Sequence, residues 1–343
     1  MKIFAKIAIA HILLIIAVCL ALVFGGVYAF QKPGPLAKTT FVVIDRGASA
    51  GDIAETLGSQ GVVSSPAIFK FVVKVVSRLG PPIVLKAGEY EFMPHMSMQE
   101  VMGKLESGQI YLRKFTVPEG LTSWQVVQLL NKVAALKGHI DTIPPEGSLL
   151  PETYHYTRGD SRAEVIGQMQ KTMQDTLALL WDKRDTDLPL SSPEEALILA
   201  SIVEKETGKP EERRAVAGVF INRLKKGIPL QTDPSVIYAI TKGKIEDNGQ
   251  GPLGRRLLKK DLEIDSPYNT YKYAGLPPTP IAAPGRASIM AVLHPEPHDF
   301  LYFVADGTGG HVFAKTLEEH NRNVAQWRRI RRNQNSIGKQ KKP

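Results

Sequence analysis

The segment Ile7–Phe30 carries no Asp, Glu, Lys or Arg over 24 consecutive positions. At about 1.5 Å of rise per residue a helix of that length reaches ~36 Å, enough to cross a ~30 Å hydrocarbon core with some tilt. The rival is a cleaved signal sequence, because Val27-Tyr28-Ala29 resembles a small-residue cleavage site. A signal core, however, runs only ~7–15 residues, so an uncleaved anchor fits the length better. His11 and Cys19 inside the segment read as tolerated residues rather than functional groups. Lys2 and Lys6 precede the segment while Lys32, Lys38 and Arg46 follow it, so positive charge alone does not orient it. The short head before it can hardly carry a function, and the working part lies on whichever side the C-terminus reaches.

The rest of the chain is long enough for about two domains of ~150 residues. Hydrophobic residues at 43% and charged residues at 22% exclude a disordered or fibrous protein. The single cysteine, Cys19, lies in the apolar segment, which excludes an intrachain disulfide and a cysteine-based metal site. The net charge of +9 belongs to the ends: eight basic residues and no acid follow His320, and Lys2 and Lys6 stand at the other end. The body between is near neutral, so a nucleic-acid partner is not indicated and the substrate need not be an anion. The C-terminal run reads as a solvated tail, with contact to anionic lipid or an acidic partner as the alternative.

Residues 31–38 are a Pro/Gly linker with no regular structure. Phe41–Ile44 predicts a strand, Arg46-Gly47 a turn, and Ser49 with Asp52 a capping box opening a helix through Ile53 and Leu57. The unit recurs at Phe115–Val117, Gly120, Thr122 with Gln125, Val126 and Leu130. Between the copies the pattern predicts a helix from Ala67 to Val76, a strand around Glu89–Phe92, and a helix capped by Ser97 and Glu100. Residues 39–135 thus form a small α/β region. Strand, Gly-x-Ser-x-x-Asp, then Ile-Ala-x-x-Leu resembles a LysM module, whose family binds N-acetylated glycan strands; two strand-helix units that only need to pack together is the plainer reading.

Further on, Ser161 and Glu164 cap a helix running to about Trp181. Ser192, Pro193 and Glu195 open an apolar helix over Ala196–Val203, Pro210 opens the next, and Asp233-Pro234 starts another. A proline-rich loop from Gly275 to Gly285 precedes a β pair, Phe300–Ala305 and His311–Lys315, and Leu317–Arg332 is a last helix. The class is α+β: a single N-terminal transmembrane helix, the small α/β region, and a second, mixed domain. The divisions are a head at 1–6, anchor 7–30, linker 31–38, the α/β region 39–135, the larger domain 136–332 and a basic tail 333–343.

Glu204 follows the apolar run, and the helical turn beside it carries Ser201 and Ala200, small side chains that predict an open slot where a ligand could approach. A carboxyl held dry there, its pKa lifted from ~4.3 towards ~6, is a competent general acid. The plain alternative is that Glu204, Lys205 and Glu206 are a solvated helix end. His294-Pro-Glu-Pro-His298 is too proline-broken for a helical zinc motif, and Gly307–Gly310 reads as a hairpin turn.

Six blocks in order, Ala200–Thr207, Val219–Leu224, Leu230–Pro234, Tyr268–Tyr271, Gly275–Pro278 and Tyr302–Asp306, closely resemble the endolytic murein transglycosylase family of bacteria. The resemblance spans Phe41 to Gln326. It implies a single inner-membrane anchor, with a LysM-like region and the catalytic domain in the periplasm. It also implies endolytic cleavage, without water, of the β-1,4 bond between N-acetylmuramic acid and N-acetylglucosamine, leaving a 1,6-anhydro end. In this family the first Glu of the Val-Glu-Lys-Glu-Thr block is taken as the acid/base, here Glu204, with Glu206 as its rival. Matching blocks imply Asn222, Arg223, Gln231, Asp233, Tyr238, Tyr268, Asn269 and Tyr271 as cleft residues, and a cleft or structural role for His311 and His320. No metal or cofactor is implied; the partners implied are glycan strands and peptidoglycan synthases. Leu149–Tyr154 departs mildly from the family, which more often has an aromatic and an Asp there. Two alternatives stay open: a lysozyme-like muramidase with Asp233 as second carboxylate, and a non-catalytic glycan-binding scaffold working through residues 39–135.

Overall fold

The computed structural model describes residues 2–245 and 252–340. The chain divides into two compact units, one running to Arg113 and including Tyr156–Arg158, the other holding Lys114–His155 and everything from Gly159 onward. The mixed α+β class with an N-terminal apolar helix is what the sequence predicts.

The first unit opens with helix α1 (Lys2–Gln31), whose stretch Ile9–Gln31 is long and apolar enough to cross a membrane and is not buried within the protein. His11 Nδ1 lies 2.7 Å from the Ile7 carbonyl, so its polarity is met inside the helix. The Pro/Gly stretch that follows lacks regular structure but is pinned. Gly34 N donates to the His95 carbonyl (3.1 Å) and His95 N to the Leu36 carbonyl (2.9 Å), while Phe30 and Leu36 enter the hydrophobic core. A side chain at Gly34 would collide with the Met96 carbonyl. Strand β1 (Thr40–Ile44), helix α2 (Ala50–Ser59) and helix α3 (Pro66–Leu79) follow, then strand β2 (Gly88–Phe92) and helix α4 (Met98–Ser107). β1 and β2 pair antiparallel, Thr40 opposite Phe92 and Ile44 opposite Gly88. Both predicted capping boxes form, Ser49 with Asp52 and Ser97 with Glu100, and Ser65 caps α3 with Pro66 at its first turn. The core is built from Leu57, Phe69, Tyr90, Phe92, Val101 and Leu105. Glu89 is buried, yet it accepts both Nε (2.7 Å) and Nη2 (2.9 Å) of Arg113, and that bidentate bond holds its carboxyl below the usual range.

The second unit is mainly helical. β3 (Arg113–Thr116) pairs with β4 (Thr153–Tyr156), separated in sequence by helix α5 (Ser123–Asn131) under the predicted Thr122–Gln125 box. Then come α6 (Arg162–Trp181), α7 (Pro193–Glu206), a 3-10 turn at Pro210–Glu212, α8 (Arg213–Lys225) and α9 (Asp233–Thr241). A 3-10 segment at Lys259–Glu263, α10 (Arg286–Leu293), the antiparallel pair β5 (Tyr302–Ala305) and β6 (His311–Ala314), and α11 (Leu317–Gln340) complete it. Of the basic tail, residues 333–340 continue α11 and 341–343 lie outside the described residues.

Two cap details differ from the sequence pattern. Ser192 caps α7 as predicted, but the Glu195 carboxylate takes the Ser191 N–H (2.6 Å), one residue early, so the box does not close. Thr232, not Asp233, caps α9, leaving the Asp233 carboxylate for other partners. The core packs α7 against α8 and α10, and every residue of α7 from Ala196 to Val203 is buried. A helix apolar all round belongs inside a protein.

One buried cation organises the segment before α6. The Arg162 guanidinium donates to five carbonyls: Leu130 (3.0 Å), Asn131 (3.2 Å), Val133 (2.6 Å), Leu136 (2.8 Å) and Gly138. These include acceptors left over at the C-terminal end of α5, where a positive charge is also favoured by the helix dipole. Replacing Arg162 by Met strands several buried carbonyls, and we expect a loss of about 3 kcal/mol or more in urea unfolding. A loss below about 0.5 kcal/mol, the scale of a surface substitution, is the result that would contradict this role.

Candidate active site

Residues two apart on a helix point about 200° apart, so the end of α7 sends Glu204 and Glu206 to different sides. Each meets a different environment.

Glu204 Oε2 accepts from Gly285 N (3.0 Å) and from Ser288 Oγ (2.7 Å). Gly285 stands at the N-cap of α10 and has no side chain to cap with, so the Glu204 carboxylate serves the orphan donors of that helix. One turn earlier, Ser201 donates to the Ile198 carbonyl (2.7 Å) and accepts from Ile281 N (3.0 Å). Residues 281–285 are all buried. The slot beside Ser201 and Ala200, predicted to be open to a ligand, is therefore filled by the end of the proline-rich loop. Glu119 closes the arrangement: a Cβ at Gly285 would overlap its carboxyl, and burial together with the charge of Glu204 pushes the Glu119 pKa up. The Arg213 guanidinium lies 3.9 Å from Glu119 and opposes that shift. Lys205 Nζ donates to the Gly120 carbonyl (3.0 Å), and Gly120 N to the Ala283 carbonyl (2.9 Å), fixing the turn that carries Glu119.

Glu206 lines a cavity of about 420 Å³ that Glu204 does not reach. Burial, then the negative charge of Asp233, lifts the Glu206 pKa to about 7, against the Thr232 hydroxyl and the Arg223 cation, which lower it. Asp233 Oδ1 accepts from the Tyr271 hydroxyl (2.7 Å), whose own proton is held more tightly by burial and by that carboxylate. Arg223 is buried and immobilised: Nε donates to the Leu301 carbonyl (2.6 Å), Nη1 to those of Pro229 (3.0 Å) and Leu230 (2.9 Å), and the guanidinium lies 5.0 Å from the Tyr302 ring centre. Gln231, also on the cavity wall, has φ of 54°, a left-handed conformation rare outside glycine, held by its N–H on the Thr270 carbonyl (3.0 Å). His320 stacks on Tyr302 (5.2 Å), and burial with the nearby Arg223 lowers its pKa, so it faces the cavity as a neutral ring.

Of the residues expected from the sequence, Arg223, Gln231, Asp233 and Tyr271 thus gather around Glu206. Asn222 turns away: its amide donates to the carbonyls of His298 (2.7 Å) and Phe300 (3.1 Å), tying α8 to the approach to β5. Asn269 is fully buried, donating to the carbonyls of Leu262 (2.9 Å) and Ile264 (2.8 Å) and accepting from Tyr271 N (3.0 Å). It shapes the loop that presents Tyr271. Tyr238 and Tyr268 pack at 5.0 Å in another cluster with Glu146 and Lys242, and Tyr238 lines a separate cavity with Lys205. His311 pairs with Glu212 (2.7 Å) at the foot of the hairpin. Sequence reasoning missed Glu119 and Ser288, which no motif marks. Tyr302 sat in a recognised block without being singled out.

The Glu206 shift has a stability consequence. Its folded pKa of about 7 stands above the ordinary glutamate value of 4.5, so the folded state binds that proton more tightly than the unfolded chain. Below pH 4.5 both states are protonated and there is no penalty; the penalty grows as pH rises through the window and is complete above about 7. We expect Glu206→Gln to melt with the wild type near pH 4.5 and to exceed it at pH 8 by about 1–3 kcal/mol. An equal offset at both pH values would mean that Glu206 is not held neutral.

Sequence comparisons show the kinship. The chain is 36% identical to the endolytic murein transglycosylase of Bacillus subtilis, an alignment covering 88% of this chain and 90% of that one. It is 31% identical to the protein of the same name from Streptococcus pneumoniae, covering 84% of this chain and 58% of the other. A crystal structure of a YceG-like protein from Listeria monocytogenes aligns at 33% identity with a TM-score of 0.48, covering 83% of this chain and 99% of that chain. The YceG-like family model matches residues 42–326, and this chain belongs to the YceG-like family.

Proposed function

We propose that this protein is an endolytic murein transglycosylase, a lyase that cuts within peptidoglycan glycan strands at the β-1,4 bond between N-acetylmuramic acid and N-acetylglucosamine. Two relatives above 30% identity bear that name, and the first aligns over nine-tenths of its length. On this reading α1 anchors the chain in the inner membrane and the remainder works in the periplasm, near the synthases that make the strands. Residues 39–135 act as a LysM-like glycan-binding region and 136–332 as the catalytic domain.

The acid/base we assign is Glu206, the rival of the sequence expectation. The observation that carries this choice is the cavity: Glu206 lies in it with a pKa raised to about 7, whereas Glu204 is hydrogen-bonded to Gly285 and Ser288 at the start of α10. A neutral Glu206 donates its proton to the departing N-acetylglucosamine oxygen as the bond to the muramic acid C1 breaks. The resulting carboxylate then takes the proton of the muramic acid C6 hydroxyl as that oxygen bonds to C1, closing the 1,6-anhydro ring and restoring the acid. No water is consumed. Asp233, held by Tyr271, keeps a negative charge beside the site that favours both the protonated acid and the oxocarbenium-like centre.

Glu206→Gln is expected to lower release of anhydro-muropeptides from isolated sacculi by about a hundredfold or more. Glu204→Gln should keep measurable turnover while losing about 1–2 kcal/mol of stability through the weakened α10 start. The reverse ranking, with both variants folded, would return the acid/base to Glu204. Products heavier by one water would identify a muramidase using Asp233, and unchanged strand length in cells carrying Glu206→Gln would identify a glycan-binding scaffold.

A further inference from the structure

Within the first unit, α3 shows three stripes, each repeating every four residues. Phe69 and Val73 are buried in the core. On the far side of the helix Phe71, Val75 and Leu79 form an apolar line, with Phe71 66% and Leu79 85% exposed and Val75 half-buried. Next round the helix come Lys70, Lys74 and Arg78. A four-residue spacing keeps each set on one face, so an exposed apolar stripe runs the length of α3 with a basic stripe along its edge.

That outer face borders α1. An open groove of about 1210 Å³ is walled by Ile68, Phe71 and Val75 of α3 on one side and by Leu22, Gly26 and Val27 of α1 on the other. Its floor at Gly25 and Gly26 is bare, with no atom within 4 Å of where either Cβ would stand. The α1 residues concerned, Ala21–Gln31, are the last three turns of the apolar helix, about 15 Å along its axis. The geometry is fixed from within the unit, because Phe30 enters the core and Gly34 and Leu36 are hydrogen-bonded to His95.

We propose that α3 is an interfacial helix: its Phe71–Val75–Leu79 face lies in the outer boundary of the bilayer, phospholipid acyl chains fill the α1–α3 groove, and Lys74 and Arg78 reach the anionic headgroups. This rests on α1 spanning the membrane. The occupant is lipid because the groove is continuous with the lipid-facing surface of α1 at the depth where that helix leaves the hydrocarbon. A basic edge beside an apolar face is also the charge pattern of helices that lie in an anionic interface. Such a contact holds the first unit against the membrane and limits how far the rest of the chain swings about its anchor.

The test is site-directed spin labelling of the full chain in a Cys19→Ala background, reconstituted in vesicles of phosphatidylethanolamine with phosphatidylglycerol as the minor component. Labels go at Phe71→Cys, Leu79→Cys, Leu14→Cys in α1 and Glu55→Cys on α2. Collision rates with oxygen, which concentrates in hydrocarbon, and with a water-soluble nickel complex are compared. The proposal expects an oxygen-to-nickel ratio at 71 and 79 several-fold above that at 55 and approaching that at 14. A ratio at 71 and 79 equal to that at 55, with 14 in hydrocarbon, overturns it while leaving the anchor intact. Labels at 71 and 79 shielded from both reagents overturn it in favour of a protein partner, and a label at 14 in water overturns the spanning reading and this inference together.

Discussion

The structure of the second unit turns on one helix whose central stretch, Ala196–Val203, has no solvent face. From Ala196 to Val203 every residue of α7 is buried, clasped by α8 and α10, so the helix can neither rotate nor slide without opening the core. Whatever leaves its end does so in a direction set by helical geometry alone. Glu204 and Glu206 are therefore not two versions of one group. A single rigid rod delivers one carboxyl to the start of α10 and the other to the cavity beside Arg223 and Asp233.

The two destinations offer a carboxyl different partners. At α10, an amide N–H and a serine hydroxyl donate to one carboxylate oxygen, an arrangement that satisfies an anion and the helix end together. In the cavity, desolvation and a neighbouring carboxylate act on Glu206 in the same direction, and the nearby guanidinium is already committed to three backbone carbonyls and an aromatic face. Arg223 lowers the shift but does not abolish it. Had that arginine been free to make a bidentate pair, the carboxyl would have been drawn down and would have had no proton to give.

The elements were legible wherever a local signal decided them. Capping boxes at Ser49, Ser97, Thr122 and Ser161 formed where their spacing predicted, because a cap involves only four consecutive residues. The site was legible as a set of blocks but not as a map. Arg223, Gln231, Asp233 and Tyr271 converge, whereas Asn222 and Asn269, from the same blocks, serve buried backbone carbonyls. Sequence cannot separate these cases, since an amide that grips a loop and one that grips a sugar are equally fixed in place. The open slot inferred beside Glu204 failed for a related reason: small residues at Ala200 and Ser201 admit any close neighbour, and the neighbour is Ile281 from a loop eighty residues away.

The chemistry proposed for Glu206 places one more demand on its surroundings. An internal hydroxyl must reach C1 before water does, so the walls around the reacting carbon should offer few groups that hold water. Phe220, Tyr302 and Phe303 line one part of the cavity, and two of the polar groups lining the rest are already engaged, Asp233 with Tyr271 and Arg223 with the backbone. His320 is held neutral beside Tyr302, so it adds no second cation to draw the proton from Glu206. On the proposed reading, the substrate's own hydroxyl is the best-placed nucleophile in such a cavity, so ring closure is favoured over hydrolysis with Glu206 as the acid and then the base.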